Sequence, residues 1–293
     1  MSAAPADERK PLLVFLNEVA GGRKLLQAVR ERQEQVSGVV VAAPQNQPSV
    51  GQLIDSAEIR EAARARVEVT MAVLKEFGIE SVGEVLDPES SLALDDAVRA
   101  HQPSEVLLSA LSETRFGFLR RDLVEWARDR VEPEVKLTHI PVRIEEDAIR
   151  WDLNHTLVVA TKTVAAPDLV NRLKERAKIR PHRFTIISPR AEDVSEPQVV
   201  RDLASTLAEL YRADIDATGQ PMSPDPFHAV QNAIEHYSVD EVLISTFAGE
   251  TSRWLEDDLI GRVRAITDKP VEHLEVGRPA AVVAAAVAEG GEA

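Results

Sequence analysis

The chain has 293 residues, 44% of them hydrophobic, enough to bury two cores at about 100 to 200 residues per domain. Its 49 Asp and Glu outnumber 34 Lys and Arg, a formal charge of −15, which repels phosphate backbones and anionic lipid, so neither nucleic acid nor a membrane is an expected partner. There is no cysteine, which excludes disulfide frameworks, thiolate metal sites and cysteine nucleophiles.

Residues 1–10, MSAAPADERK, read as an N-terminal tail without the basic start and apolar stretch of a signal peptide. No apolar run approaches the ~20 residues of a membrane span, and a cytoplasmic protein is expected. In the first half the runs Leu12–Leu16, Val36–Ala42, Val82–Leu86, Val106–Leu108 and Val135–Ile144 predict strands. The amphipathic stretches Arg23–Glu34, Ala57–Phe77, Ser91–His101 and Phe118–Arg130 predict helices between them.

Three acids, Glu145, Glu146 and Asp147, mark a boundary, giving domains over 11–147 and 148–278. The second half repeats the alternation, with predicted strands at Thr156–Ala160, Phe184–Ile187, Asp214–Ala217, Val242–Ile244 and Val271–Val276. Its predicted helices are Asp168–Lys178, Gln198–Tyr211, Pro226–His236 and Arg253–Ile266. Residues 279–293 form a tail in which Ala280–Ala288 reads as a short helix or a weakly ordered end.

The two halves are related in detail. Ser109–Val124 (SALSETRFGFLRRDLV) aligns without a gap to Ser245–Ile260 (STFAGETSRWLEDDLI). Ala97, Glu105, Val106, Leu107 and Ser109 have identical partners 136 residues later at Ala233, Glu241, Val242, Leu243 and Ser245. That period far exceeds the roughly 20 to 50 residues of solenoid repeats, so each unit is a whole domain. Strict alternation predicts an α/β protein of two tandem domains, each a five-stranded parallel sheet with helices on both faces. Ligands of such sheets lie beyond the strand carboxyl ends where strand order reverses, here the loops after the first and fourth strands.

Glu105–Ser109 and Glu241–Ser245, each followed by a polar loop, an Arg-bearing helix and a Val-rich strand, resemble the C-terminal half of universal stress protein domains. The resemblance spans nearly the whole chain, and Asp87-Pro88 and Gln220-Pro221 stand where that family often has a Gly-Asp-Pro turn. It implies an adenine nucleotide α-hydrolase-like sheet. In nucleotide-binding members it also implies a first-strand Asp and a Gly-x-x-Gly-(nine residues)-Gly-Ser/Thr motif, whose glycines let backbone N–H groups approach phosphates. Here Asn17 and Thr161 stand at the Asp position, and Ser109, Ser112 and Asp122, then Ser245, Ala248 and Asp258, stand at the glycine positions. A carboxylate at the last position repels a triphosphate, so ATP is not expected in the family's usual mode, although a one-residue shift brings Gly249 into the motif. The family commonly pairs through its last strand, which nominates Val135–Val142 and Val271–Val276 to join the halves as a pseudo-dimer, with a homodimer as a further option.

The loops after the fourth strands carry Ser109, Ser112, Thr114 and Arg115 in one half and Ser245, Thr246, Thr251, Ser252 and Arg253 in the other. Hydroxyls and Arg near a helix N-terminus either cap the helix or hold a small anion, ATP or another adenine nucleotide being the candidate cofactor. Ala20-Gly21-Gly22-Arg23-Lys24 after the first strand is either a permissive turn or a phosphate loop. His139 and His273 in the last strands lack partners at ligand spacing, so a structural role and no metal is expected. Phe118 and Trp254 read as helix faces packed on the sheet rather than a base-stacking platform, and Asp122 with Arg128, like Asp258 with Arg264, reads as a solvated face or a contact between the two domains.

Neither His-x-Gly-His, Ser-Gly-Gly-x-Asp-Ser, Gly-x-Ser-x-Gly nor a Walker loop is present, so no enzyme is expected. The expectation is a non-catalytic, universal-stress-protein-like module in stress response or regulation that binds a partner protein or a small ligand. The alternative is a sensor that holds a nucleotide or phosphorylated metabolite in the Ser/Thr/Arg loops.

Overall fold

Leu12–Leu16 is buried at every residue, as befits a strand covered on both faces. The computed structural model describes residues 9–17, 22–45, 56–87, 90–110, 115–116, 121–141, 153–189, 194–222, 225–237, 239–249 and 258–277. In chain order these give β1 (Leu12–Leu16), α1 (Arg23–Arg30), a 3₁₀ turn (Gln33–Gln35), β2 (Val39–Pro44), α2 (Ser56–Glu76), β3 (Ser81–Leu86), α3 (Ser90–His101) and β4 (Glu105–Ala110). The first half closes with β5 (Arg115–Phe116), β6 (Arg121–Asp122), α4 (Leu123–Arg130) and β7 (Lys136–Pro141). The second half follows as β8 (Asn154–Val159), α5 (Pro167–Ile179), β9 (His182–Pro189), α6 (Glu196–Arg212), β10 (Asp216–Met222), α7 (Pro226–His236), β11 (Glu241–Phe247), α8 (Leu259–Ile266) and β12 (Val271–Val276).

Two five-stranded sheets result, ordered β3-β2-β1-β4-β7 and β10-β9-β8-β11-β12, with every neighbouring pair parallel. The α/β fold with two tandem parallel sheets is therefore observed. Alternation along β1 sends Leu12, Val14 and Leu16 to one face and Leu13 and Phe15 to the other. The first face is covered by α1 and α2, the second by α3 and α4; α5 and α6, then α7 and α8, do the same for the second sheet.

The halves meet through helices. Val67, Val73 and Leu74 of α2 and Leu203, Leu207 and Leu210 of α6 belong to one continuous core that reaches both sheets. This corrects the expectation that β7 and β12 join the halves, since each ends its own sheet without pairing to the other. The reason lies in burial: α2 and α6 have apolar residues left over after covering their sheets, whereas β7 is only half-buried.

Several predicted boundaries move. The helix expected over Arg23–Glu34 stops at Arg30 and yields to the 3₁₀ turn. The helix expected over Phe118–Arg130 starts only at Leu123, because Arg115–Phe116 and Arg121–Asp122 pair as an antiparallel ribbon. The strand expected from Asp214 starts at Asp216, because Asp214 is a left-handed turn residue at φ 61°. The boundary acids Glu145, Glu146 and Asp147 lie outside the described residues. No described helix is long and apolar enough to cross a membrane.

Candidate functional site

β1 lies between β2 and β4, and β8 between β9 and β11, so strand order reverses beside β1 and β8 as the alternation predicted. At the first reversal Asn17, fully buried, donates its backbone N–H to the Ser109 carbonyl at 2.9 Å. Ser109 is itself buried at the end of β4, in register with Leu16. The two residues are thus brought together. Ser112 and Thr114 lie outside the described residues, and Arg115 is described only as the start of β5.

The second reversal is drawn shut by the chain's own hydroxyls. Thr161 Oγ1 donates to the Pro189 carbonyl at 2.5 Å and Thr163 Oγ1 to the Ser245 carbonyl at 3.1 Å. Ser188 Oγ donates to the Ala160 carbonyl at 2.7 Å and Thr206 Oγ1, from α6, to the Val164 carbonyl at 2.8 Å. The loop after β8 is therefore tied to β9, β11 and α6 at once, and Thr161 is turned toward β9. Thr246 Oγ1 lies 2.8 Å from His273 Nε2, while His139 Nε2 donates to the Ala110 carbonyl at 3.0 Å. The two last-strand histidines thus do matched structural work, reaching equivalent positions of the fourth strands. Among the described residues no cluster could hold a metal ion.

Ser245 Oγ is buried and finds no hydrogen-bond partner among the described residues. Gly249 adopts φ +69°, with open space where a Cβ would stand. Thr251, Ser252 and Arg253 lie outside the described residues. The helix expected from Arg253 is described from Leu259, where Asp258 caps it at φ 48° by accepting from the Gly261 N–H at 3.2 Å.

This donor set does not fit an adenine nucleotide in the mode implied by the glycine motif. The Asp258 carboxylate occupies the α8 N-terminus, the positive end that would otherwise attract phosphate. Thr161 cannot replace the missing first-strand carboxylate, because its hydroxyl is committed to Pro189.

The Gly22-Arg23-Lys24 turn serves as a joint between the halves. A Cβ on Gly22 would sit 3.1 Å from Thr218 Cγ2, and Arg23 ion-pairs with Asp214. Gly22 caps α1 without any side-chain bond.

Sequence reasoning overlooked two carboxylates at the opposite ends of the sheets. Glu105 ion-pairs with Arg32, whose Nε lies 2.8 Å away, and accepts from Thr138 Oγ1 at 2.7 Å and Lys136 Nζ at 3.0 Å. Glu241, its repeat partner, accepts from Thr156 Oγ1 at 2.6 Å, Asn154 Nδ2 at 3.0 Å and Arg176, with His182 Nε2 at 3.5 Å. Burial alone would raise both carboxyls, but these donors and the neighbouring charges outweigh it and hold both below the usual carboxylate value. The available signal was their identity at matching positions of the repeat.

No family model matches the chain, and no curated protein matches it. Among solved structures, a universal stress protein from Archaeoglobus fulgidus DSM 4304 is similar at 15% identity and a TM-score of 0.35, over 90% of this chain and 96% of that one. A chain described as a short-chain dehydrogenase, from Novosphingobium aromaticivorans, is similar at 14% identity and a TM-score of 0.26, over 87% and 95%. A NadR protein in complex with NAD and AMP-PNP is similar at 10% identity and a TM-score of 0.29, over 91% of both chains. At these TM-scores the likenesses carry no argument about activity.

Proposed function

We propose that the chain is a cytoplasmic, non-catalytic binding module of the universal stress protein kind, acting on a protein partner in a stress-response or regulatory role without nucleotide. The observation that carries this reading is the closed strand-order reversal of the second half, where Thr161 and Thr163 spend their hydroxyls on Pro189 and Ser245. Asp258 adds a fixed negative charge at the helix end that a phosphate would need.

The test is thermal melting of nucleotide-stripped protein with and without Mg-ATP, ADP and AMP, with mass spectrometry of co-purifying small molecules. A ligand that binds only the folded state must raise Tm. Unchanged melting and no retained nucleotide are expected; a clear upward shift would overturn the reading.

A sensor of a nucleotide or phosphorylated metabolite is the second reading. It is favoured by the buried Ser245 hydroxyl, which lacks a partner among the described residues and stands four residues before the open Gly249 turn. A rise in Tm with inorganic phosphate that disappears in Ser245→Ala would select it.

A further inference from the structure

β3 and β10 are the same strand of the repeat, each at the outer edge of its sheet, yet among the described residues only β10 is covered. On β10 the Tyr211 hydroxyl donates to the Ala217 carbonyl at 2.7 Å, and Thr218 is 5% exposed, with Gly22 of the other half against it. The equivalent positions 136 residues earlier are Lys75, Ser81 and Val82. Lys75 is exposed and Val82 is 63% exposed. At Thr218 and Val82 the polar member is thus buried and the apolar member faces water, the reverse of what transfer energetics favour.

The backbone of β3 points the same way. Leu86 O accepts from Gln45 N at 3.1 Å, which turns the main chain of Leu86, Glu84 and Val82 toward β2. The N–H and C=O groups of Ser81, Gly83 and Val85 therefore face outward, and no strand pairs with them among the described residues. The edge carries little of the usual protection: Ser81–Leu86 contains no Lys and no Pro, and Glu84 is its one charge. Its charges are all acidic, with Glu80 and Asp87 exposed at its ends and Glu84 held by His101 Nε2 at 2.8 Å.

We propose that the β3 edge docks an extended segment of a partner protein, rich in Lys or Arg between β-branched residues, as a sixth strand of the first sheet. Main-chain bonds to Ser81, Gly83 and Val85 would supply affinity, Val82 an apolar contact, and the acidic flanks selectivity. A second copy of this chain is the less suitable occupant, since it brings the same charge of −15 to an acidic edge. The proposal rests on the reading of the chain as a protein-binding module and names the class of partner.

The probe is a peptide of about ten residues alternating Val or Thr with Lys, against a control of equal charge with every residue N-methylated, so that neither of its edges can pair. Amide hydrogen exchange and NMR shifts are followed at low salt in wild type and in Val82→Lys. The expected result is slowed exchange at Ser81, Gly83 and Val85 with the first peptide only, and about tenfold weaker binding in Val82→Lys at unchanged Tm. Binding that leaves β3 unaffected, equal binding of the N-methylated control, or no loss in Val82→Lys would overturn the proposal. So would concentration-dependent self-association that protects the same amides, which would make a second copy the occupant. A nucleotide-induced rise in Tm with β3 binding intact would sink the nucleotide-independent reading alone, and unchanged melting without β3 binding would sink the edge proposal alone.

Discussion

Arg212 Nη2 donates to the Glu76 carbonyl at 2.9 Å, and the two residues are 136 positions apart, the same place in the repeat. Contact between equivalent residues is the mark of a pseudo-twofold axis, so the C-termini of α2 and α6 meet as two subunits of an isologous dimer would. Arg212 also lies 4.9 Å over the Phe77 ring, which Arg30 approaches at 5.7 Å from the first half.

Because one core runs through both halves, a single unfolding transition is expected in denaturant. Phe77→Ala removes an aromatic packed against that core and flanked by two guanidinium groups, and should cost about 2–4 kcal/mol. Arg212→Ala, at a half-exposed ion pair, should cost only about 0.5–1 kcal/mol. Two separated transitions in the wild type would refute the shared core.

The matched glycines Gly83 and Gly219 set how closely α2 and α6 approach their edge strands. A Cβ on Gly219 would stand 2.9 Å from the Ile186 carbonyl oxygen and 2.9 Å from Leu203 Cδ1. One on Gly83 would stand 2.4 Å from Met71 Sδ and 2.4 Å from Val67 Cγ1. Backbone cannot move aside as a thioether can, so Gly219→Ala should cost about 2–3 kcal/mol and Gly83→Ala about 1–2 kcal/mol. Chemical denaturation gives both values, and the reverse order would show that β9 yields more readily than α2.

Much of the fold was legible because it is written in period and repetition. The runs Leu12–Leu16, Pro226–His236 and Val271–Val276 fall on observed elements residue for residue. Helix starts after the fourth strands were not legible: apolar spacing continues through Phe118 and Trp254, while the ribbon at Arg115–Asp122 and the cap at Asp258 depend on hydrogen bonds with no periodic signature. The use of α2 and α6 to join the halves was hidden for a different reason. Both helices are amphipathic whether they cover one sheet or also each other, and periodicity alone does not measure the width of the apolar stripe.

Glu105 and Glu241 make stability depend on acid. Their folded pKa values lie below the ordinary 4.5, so the unfolded chain binds protons more readily. Their contribution is present above about pH 4.5 and lost as pH falls through the lowered folded values. Glu68 on α2 has the opposite sign: burial, then the nearby Glu196 on α6, raises it against the attraction of Arg64. Its penalty is present at neutral pH and relieved as pH falls through its raised value. Glu68→Gln should therefore raise Tm at pH 7 and have less effect near pH 4. Glu241→Gln, which strips Arg176 of a carboxylate, should cost about 1–3 kcal/mol at pH 7 and less in acid. Melting curves of both variants from pH 4 to pH 8 check the two signs, and parallel curves would refute the assignment.

Asp258 and Gly261 should prove coupled. A Cβ on Gly261 would lie 2.3 Å from Asp258 Oδ2, so Gly261→Ala can be accommodated only by pushing the capping carboxylate off the α8 N-terminus. Losing that cap costs about 1 kcal/mol, which roughly cancels the gain of about 1 kcal/mol from replacing a helical Gly with Ala. Gly261→Ala should thus be nearly neutral in the wild type. In an Asp258→Gly background, where the cap and its left-handed φ of 48° no longer resist, the same change should stabilise by about 1 kcal/mol. A double-mutant cycle by urea denaturation measures the difference. Equal effects in both backgrounds would mean that the carboxylate does not hold the helix end, and the argument that it excludes phosphate there would fall with it.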